Sequence, residues 1–138
     1  MSSHHQYKSF DQLLLEAIDE GLSGLGEAGK ASIYIYLERC CNIRKQELPN
    51  KLSDFSNALE RILGSSARQL EKLFMKYLRD KLELTFKGSK YQWPLSEGII
   101  TQITFSEHVR RLRKSFEDAE ADKVEMGILE NEYKELHK

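Results

Sequence analysis

Apolar residues recur at helical spacing in four successive segments of this 138-residue chain. An apolar residue at every third or fourth position forms a stripe along one side of an α-helix, which can then pack on a core. Ser9 and Gln12 form an S-x-x-Q capping box before the first segment, and Gly64 closes the third. The pattern therefore predicts a core of four helices at residues 10–22, 27–41, 54–63 and 66–82.

The second of these segments, residues 27–41, is the most apolar. In a helix, Ala28, Ala31 and Ile35 fall on one broad side, and Ile33 makes that side wider than the usual stripe. A helix that is apolar over so much of its circumference is expected to be surrounded by the others. The sequence therefore predicts that this helix is the centre of the core.

After Leu82 the apolar pattern changes from helical spacing to alternation. Leu82, Leu84 and Phe86 alternate with polar residues, and a second alternating run at residues 91–95 follows the turn sequence at 87–90. Alternation is typical of a half-buried strand, so a small β-hairpin is the economical interpretation. The next apolar run, which ends at Ile103, fits either a strand or a helical turn.

The C-terminal part of the chain predicts a long helix that begins with a T-x-x-E capping box at Thr104 and Glu107. Its apolar residues follow alternating intervals of four and three, as in a coiled-coil seam, until the seam is interrupted at residues 122–127. The segment is therefore either one long helix or two helices with a break.

These patterns divide the chain into two units. Residues 1–104 are expected to form the helical core domain, with a frayed start at 1–8, and residues 105–138 an arm that packs on it or dimerises. Apolar residues of the arm are the expected dimer contacts: Val109, Leu112, Phe116, Met126, Leu129, Tyr133 and Leu136.

Composition favours one mainly α, soluble protein: 40% of residues are hydrophobic, 31% are charged and only two are proline. No stretch approaches the roughly 20 apolar residues of a membrane span, and no apolar run follows a basic start. Cys40 and Cys41 are neighbours and point in different directions on a helix, so we expect reduced, buried thiols. The expected compartment is the cytoplasm.

Charge is unevenly distributed along the chain. Residues 68–114 carry eleven basic and five acidic groups, whereas residues 115–138 carry three basic and eight acidic groups. A basic helix followed by a hairpin resembles a winged-helix layout, in which both elements hold a phosphate backbone. We identify ten candidate nucleic-acid contacts: Arg68, Lys72, Lys76, Arg79, Lys87, Lys90, Arg110, Arg111, Arg113 and Lys114. The alternative is a solvated face on which Glu71, Asp80 and Glu83 supply ion-pair partners.

Other motifs do not favour catalysis. Residues 24–31 match most of a phosphate-binding loop, but Ala31 replaces the magnesium-binding hydroxyl and no buried strand precedes the loop. Glu16, Asp19 and Glu20 lie within one helical turn, but His108 is the only histidine outside the chain ends, so a solvated acidic face is favoured over a metal site. We therefore expect no catalytic, metal or cofactor-binding residues and no small-molecule substrate.

Residues 13–84 resemble an archaeal family of unknown activity that includes the Nitrosopumilus output domain of the fifth type. The resemblance is carried by the sequences LEAIDEGL (15–22), LGE (25–27), IYIYLE (33–38), ALE (58–60) and ILG (62–64). It implies an all-helical output or interaction module in prokaryotic signalling, without catalytic residues.

Two functions are therefore predicted. The first is a non-enzymatic regulatory or protein-interaction module that forms a homodimer or binds another protein. The alternative is a nucleic-acid-binding regulator that uses the basic helix and hairpin.

Overall fold

The computed structural model describes residues 8–86 and 103–136, with side chains as far as residue 121 in the last segment. These residues are mainly helical, with no strand in the described ranges, which confirms the all-α class. The elements are α1 (Phe10–Ser23), α2 (Gly26–Cys41), a 3-10 helix (Lys45–Asn50), α3 (Leu52–Leu63), α4 (Ser66–Thr85) and α5 (Phe105–Leu136). None of the helices in the described segments is long and apolar enough to cross a membrane.

Helix ends follow local capping chemistry. The Ser9 hydroxyl accepts a hydrogen bond from the Gln12 amide at 3.2 Å, and the Gln12 side chain accepts one from the Ser9 amide at 2.8 Å. Asn42, at the end of α2, has a φ of 56°, a left-handed conformation that asparagine tolerates better than most residues. The predicted capping box of α1 is therefore confirmed.

The predicted hairpin is not supported, because α4 continues through the residues assigned to its first strand. Leu82 and Phe86 are buried, whereas Leu84 is 73% exposed. Residues 78, 82 and 86 are separated by four positions and share one side of a helix, so their burial follows helical rather than strand geometry. The turn at 87–90 and the second run at 91–95 lie outside the described residues.

The centre of the core is the pair α1 and α4, and the prediction that α2 is central is wrong. Helix α1 packs most extensively against α4, whereas α2 buries only Ile33 and Leu37, and Ile35 is 50% exposed. The apolar character of α2 comes partly from alanine and glycine, which offer little area to bury. Cys40 is exposed and Cys41 is half-buried, so the expected burial of both thiols is also wrong.

Helices α1 and α4 approach each other closely at Gly21. A Cβ atom at this position would lie 2.4 Å from Cδ1 of Phe74, so only glycine fits against that ring. The Phe74 ring also packs against Phe55 and Phe105, with centroid distances of 5.8 and 5.7 Å. This aromatic cluster joins α1, α3, α4 and α5 in one core.

Helix α5 is continuous from Phe105 to Leu136, which answers the question of one helix or two. Its first half belongs to the core, with Val109, Leu112 and Phe116 all buried. The Phe116 ring lies 5.5 Å from that of Phe10 and 5.4 Å from that of Phe86. The second half continues the helix beyond these contacts.

Candidate nucleic-acid interface

Four cations follow one face of α4. Arg68, Lys72 and Lys76 are exposed, and Arg79 is half-buried. The eleven residue steps from Arg68 to Arg79 rise about 16 Å along the helix axis, so the four charges form a strip of that length. The sequence prediction that these residues share one face agrees with the helical geometry of α4.

The strip keeps its charge, because none of its four cations forms an ion pair within the described parts of the chain. Glu71, an expected partner, accepts a hydrogen bond from the hydroxyl of Ser56 at 2.6 Å instead. Asp80 and Glu83, the other expected partners, are exposed and form no ion pair there either. The positive charge is therefore available to an anionic ligand.

The basic cluster on α5 differs from the strip on α4, because two carboxylates neutralise part of its charge. The cluster consists of Arg110, Arg111, Arg113 and Lys114. Glu107 accepts hydrogen bonds from Nε of Arg110 at 3.1 Å and from Nε of Arg111 at 3.0 Å, and these bonds lower the pKa of Glu107 to about 2. Arg113 pairs with Asp11 at 2.7 Å and lies 4.7 Å from the centre of the Phe10 ring.

Of the candidate contacts on α5, only Lys114 is both exposed and outside the observed ion pairs. Lys87 and Lys90, the expected contacts at the hairpin tip, lie outside the described residues.

His108 of α5 is buried against α4, and no sequence motif marked it as a site residue. It is 1% exposed, and neither ring nitrogen has a hydrogen-bond partner in the described structure. Burial, together with the charges of Arg79 and Arg111, lowers the pKa of His108 to about 4. Nε of Arg79 is likewise buried without a partner there. His108 lies three residues after Phe105 and four before Leu112, a spacing that places the three on one side of a helix and was the sequence signal of burial.

A small groove opens beside this histidine. It has a cavity of about 40 Å³. Its lining comes from α4, from α5 and from the two residues before α5: Arg68, Glu71, Lys72, Met75, Ile103, Thr104, Phe105 and His108. The groove therefore brings two cations of the basic strip next to the unpartnered imidazole.

The carboxylates of α1 form the partly exposed acidic face that the sequence predicts, but they are ion-paired rather than free. Asp19 accepts hydrogen bonds from the hydroxyl of Tyr34 at 2.9 Å, from Lys45 at 3.1 Å and from Lys30 at 3.3 Å. Burial raises the pKa of Asp19, but these three bonds outweigh it and hold the pKa below its usual value. The cluster therefore fastens α2 and the 3-10 helix to α1.

Glu16 and Glu20 are neutralised from two sides. Lys81 of α4 pairs with both carboxylates, and Lys8, which the sequence assigned to a frayed start, pairs with Glu16 at 2.5 Å. Across the residues whose placement is described, no group of three or more histidine, cysteine, aspartate or glutamate side chains is arranged to hold a metal ion.

Residues 24 and 25 of the glycine-rich segment 24–31 join α1 to α2, and residues 26–31 form the first turns of α2. Gly26 has a φ of 85°, a left-handed conformation that favours glycine. Lys30, which would contact a nucleotide in a phosphate-binding loop, pairs with Asp19 at 3.3 Å. The segment therefore serves as a helix joint in this structure.

The predicted dimer contacts fall into two groups. Val109, Leu112 and Phe116 lie in the core of their own chain, where they have no free surface to offer a partner. The side chains of the other four lie outside the described residues: Met126, Leu129, Tyr133 and Leu136.

Comparison with known proteins adds no assignment: no family model, no curated protein and no solved structure matches this chain.

Proposed function

We propose that this protein is a non-enzymatic regulator that binds nucleic acid through phosphate contacts from the basic strip of α4. The supporting observation is that Arg68, Lys72, Lys76 and Arg79 remain without ion-pair partners among the described residues. A folded domain can neutralise such charges with its own carboxylates, as this one does for Lys30, Lys45 and Lys81. The unpaired cations of α4 are therefore suited to an external polyanion.

The dimensions of the strip fit a nucleic-acid backbone. Phosphates of one strand of a duplex follow at about 3.4 Å along the axis, so a strip of about 16 Å spans several of them. Contacts of this kind provide affinity without reading the base sequence. We therefore expect binding that depends strongly on salt and weakly on sequence.

A charge-matched comparison tests the proposal. The variant R68Q/K72Q/K76Q should bind a fluorescent duplex more weakly than the unmodified protein, measured by anisotropy between 50 and 200 mM salt. Each lost phosphate contact changes the slope of log affinity against log salt by about 0.9, so three substitutions should make the slope shallower by about 2.7.

The control removes three exposed arginines from other parts of the surface: R39Q/R44Q/R61Q. It lowers the net charge by the same amount and should leave the slope nearly unchanged. Equal weakening by both variants, or no binding by the unmodified protein at 50 mM salt, would contradict the proposal.

A second function, protein interaction through the end of α5, is favoured by the length of that helix. Residues 122–136 continue the helix for about 22 Å beyond the last described core contacts. In this segment the sequence repeats apolar residues at intervals of three, four and three: Met126, Leu129, Tyr133 and Leu136. Such spacing is typical of a helix that pairs with another helix, and we propose a homodimer as the first candidate.

Sedimentation equilibrium of the full chain tests this second function. We expect a dimer that becomes monomeric when Leu129 and Tyr133 are both replaced by serine. The matched control replaces Val124 and Ile128, which lie outside the repeat, and should remain dimeric. A monomer at millimolar concentration for the unmodified chain would exclude self-association.

The resemblance to the Nitrosopumilus output domain family is compatible with either function. An output module in a prokaryotic signalling system acts by binding, and both nucleic acid and protein are suitable targets. The archaeal, signalling and cytoplasmic assignments remain predictions.

A further inference from the structure

The groove beside His108 lies at the N-terminus of the longest helix in the described structure. Thr104 caps α5: its hydroxyl accepts a hydrogen bond from the amide of Glu107 at 3.1 Å, and its carbonyl accepts one from the amide of His108 at 3.0 Å. A helical amide donates to the carbonyl four residues earlier, and for Phe105 and Ser106 that carbonyl lies before the helix begins. These two amides therefore have no partner within the helix. A helix N-terminus of this kind attracts an anion.

A second, independent feature points to a ligand at the same place. His108 lines the groove and is 1% exposed, yet both of its ring nitrogens lack a partner among the described residues. An unpartnered buried polar group destabilises a folded protein, so such groups are usually explained by a water, an ion or a function. The imidazole can donate one hydrogen bond when neutral and two when protonated.

The charges around the groove select the sign of the ligand. From α4, Arg68 and Lys72 line it, and Arg79 is close enough to lower the pKa of His108, as is Arg111 of α5. Glu71 is the carboxylate that lines the same groove. The surroundings of the imidazole are thus predominantly positive.

We propose that this groove is a binding site for a phosphoryl group, held by His108, Arg68, Lys72 and the N-terminus of α5. The cavity of about 40 Å³ exceeds the roughly 10–15 Å³ that a cavity needs to hold one water molecule. Both ring nitrogens are buried, so the imidazole turns towards the cavity to meet an oxygen of the anion, while the other oxygens stay near the exposed Arg68 and Lys72. This site goes beyond the nucleic-acid proposal, because a free phosphate ion or a small phosphorylated molecule satisfies it alone.

Two sources can supply this phosphoryl group: a free phosphate, or the terminal phosphate of a nucleic-acid strand. A comparison of inorganic phosphate with short single strands, with and without a 5′-phosphate, separates the two. Tighter binding of the 5′-phosphorylated strand than of the same strand without that phosphate indicates the nucleic-acid end. Equal binding of the two strands, together with binding of inorganic phosphate, indicates a site for free phosphate.

The test follows the His108 imidazole in the full-length protein by nuclear magnetic resonance during a pH titration. In 20 mM phosphate its titration midpoint should rise by at least one pH unit relative to chloride at equal ionic strength, because a bound phosphate anion favours the imidazolium. By calorimetry, H108L should weaken phosphate binding at least tenfold, and R68Q at least threefold. Arg68 is exposed, so R68Q provides the test even if H108L does not fold.

The control R39Q removes an exposed cation of α2 and should leave phosphate affinity unchanged. An equal midpoint in phosphate and chloride, or equal weakening by R39Q and R68Q, would overturn the site. The nucleic-acid proposal is tested separately. The variant H108L should keep the salt dependence of duplex binding. The variant K76Q should reduce that salt dependence and leave phosphate affinity unchanged.

Discussion

Replacing Phe116 with alanine is expected to lower the free energy of unfolding by about 3–5 kcal/mol, the usual cost of removing a buried phenylalanine. The ring is 3% exposed and packs edge-on against Phe10 and Phe86. It therefore joins α5 to the start of α1 and the end of α4. Small domains are stable by about 5–15 kcal/mol, so chemical denaturation followed by circular dichroism should detect the change readily.

The same experiment distinguishes a core residue from a dimer contact. A core role predicts that the loss is independent of protein concentration, whereas a dimer interface predicts a denaturation midpoint that rises with concentration and loses this dependence in the variant. As a control, Leu84→Ala truncates a side chain that is 73% exposed and should change stability by less than about 0.5 kcal/mol. A Phe116→Ala protein as stable as the Leu84→Ala control would contradict the packing described for α5.

Acidification from pH 7 to pH 4 is expected to destabilise the protein through His108. Its pKa is about 4 in the folded protein, against an ordinary value near 6.5 in the unfolded chain. Between these values the unfolded chain binds a proton that the folded protein does not, so stability falls as the pH falls through this window. The difference of about 2.5 pH units corresponds to about 3 kcal/mol once the pH is below 4, and the contribution is absent above about 6.5.

The variant H108L isolates this contribution. Glu16, Asp19 and Glu107 also have lowered pKa values and lose stabilisation in acid, but they are common to both proteins. The difference in free energy of unfolding between the two proteins should therefore change by about 3 kcal/mol from pH 7 to pH 4 in phosphate-free chloride buffers. Parallel pH profiles would mean that the imidazole is solvated in the folded protein.

Local sequence information was sufficient for the helices, because caps and periodicity act within a few residues. The box formed by Ser9 and Gln12 begins α1 as predicted, and α5 begins directly after Thr104. The alternation at residues 82–86 was misleading because positions four apart are compatible with both a strand and a helix face. Burial distinguishes the helix from the strand, because Leu84 points away from the core and Phe86 points into it.

The arrangement of the helices depended on properties that apolar counts do not contain. Residues 27–41 appeared central because alanine was counted as apolar alongside isoleucine, yet α1 and α4 have the larger side chains that fill the core. The basic strip of α4 was identified from spacing alone. Its lack of ion pairs with the described residues could not be predicted, because Glu71 is turned towards Ser56 of another helix and only tertiary structure determines that choice.

His108 illustrates the limit of sequence information at the candidate site. A single histidine carries no motif, and its surroundings come from two helices separated in sequence by many residues. The approach of Arg79 to the imidazole is a result of packing rather than of spacing along either helix.

The close approach of α1 and α4 at Gly21 also restricts how this fold can vary. Because a methyl group there would meet the Phe74 ring, the two positions can change only together: a larger residue at 21 requires a smaller one at 74. The ring also contacts Phe55 and Phe105, so that exchange would require compensation on α3 and α5. Sequences that adopt this architecture should therefore show linked substitutions at these four positions, a covariation signature by which distant relatives can be recognised.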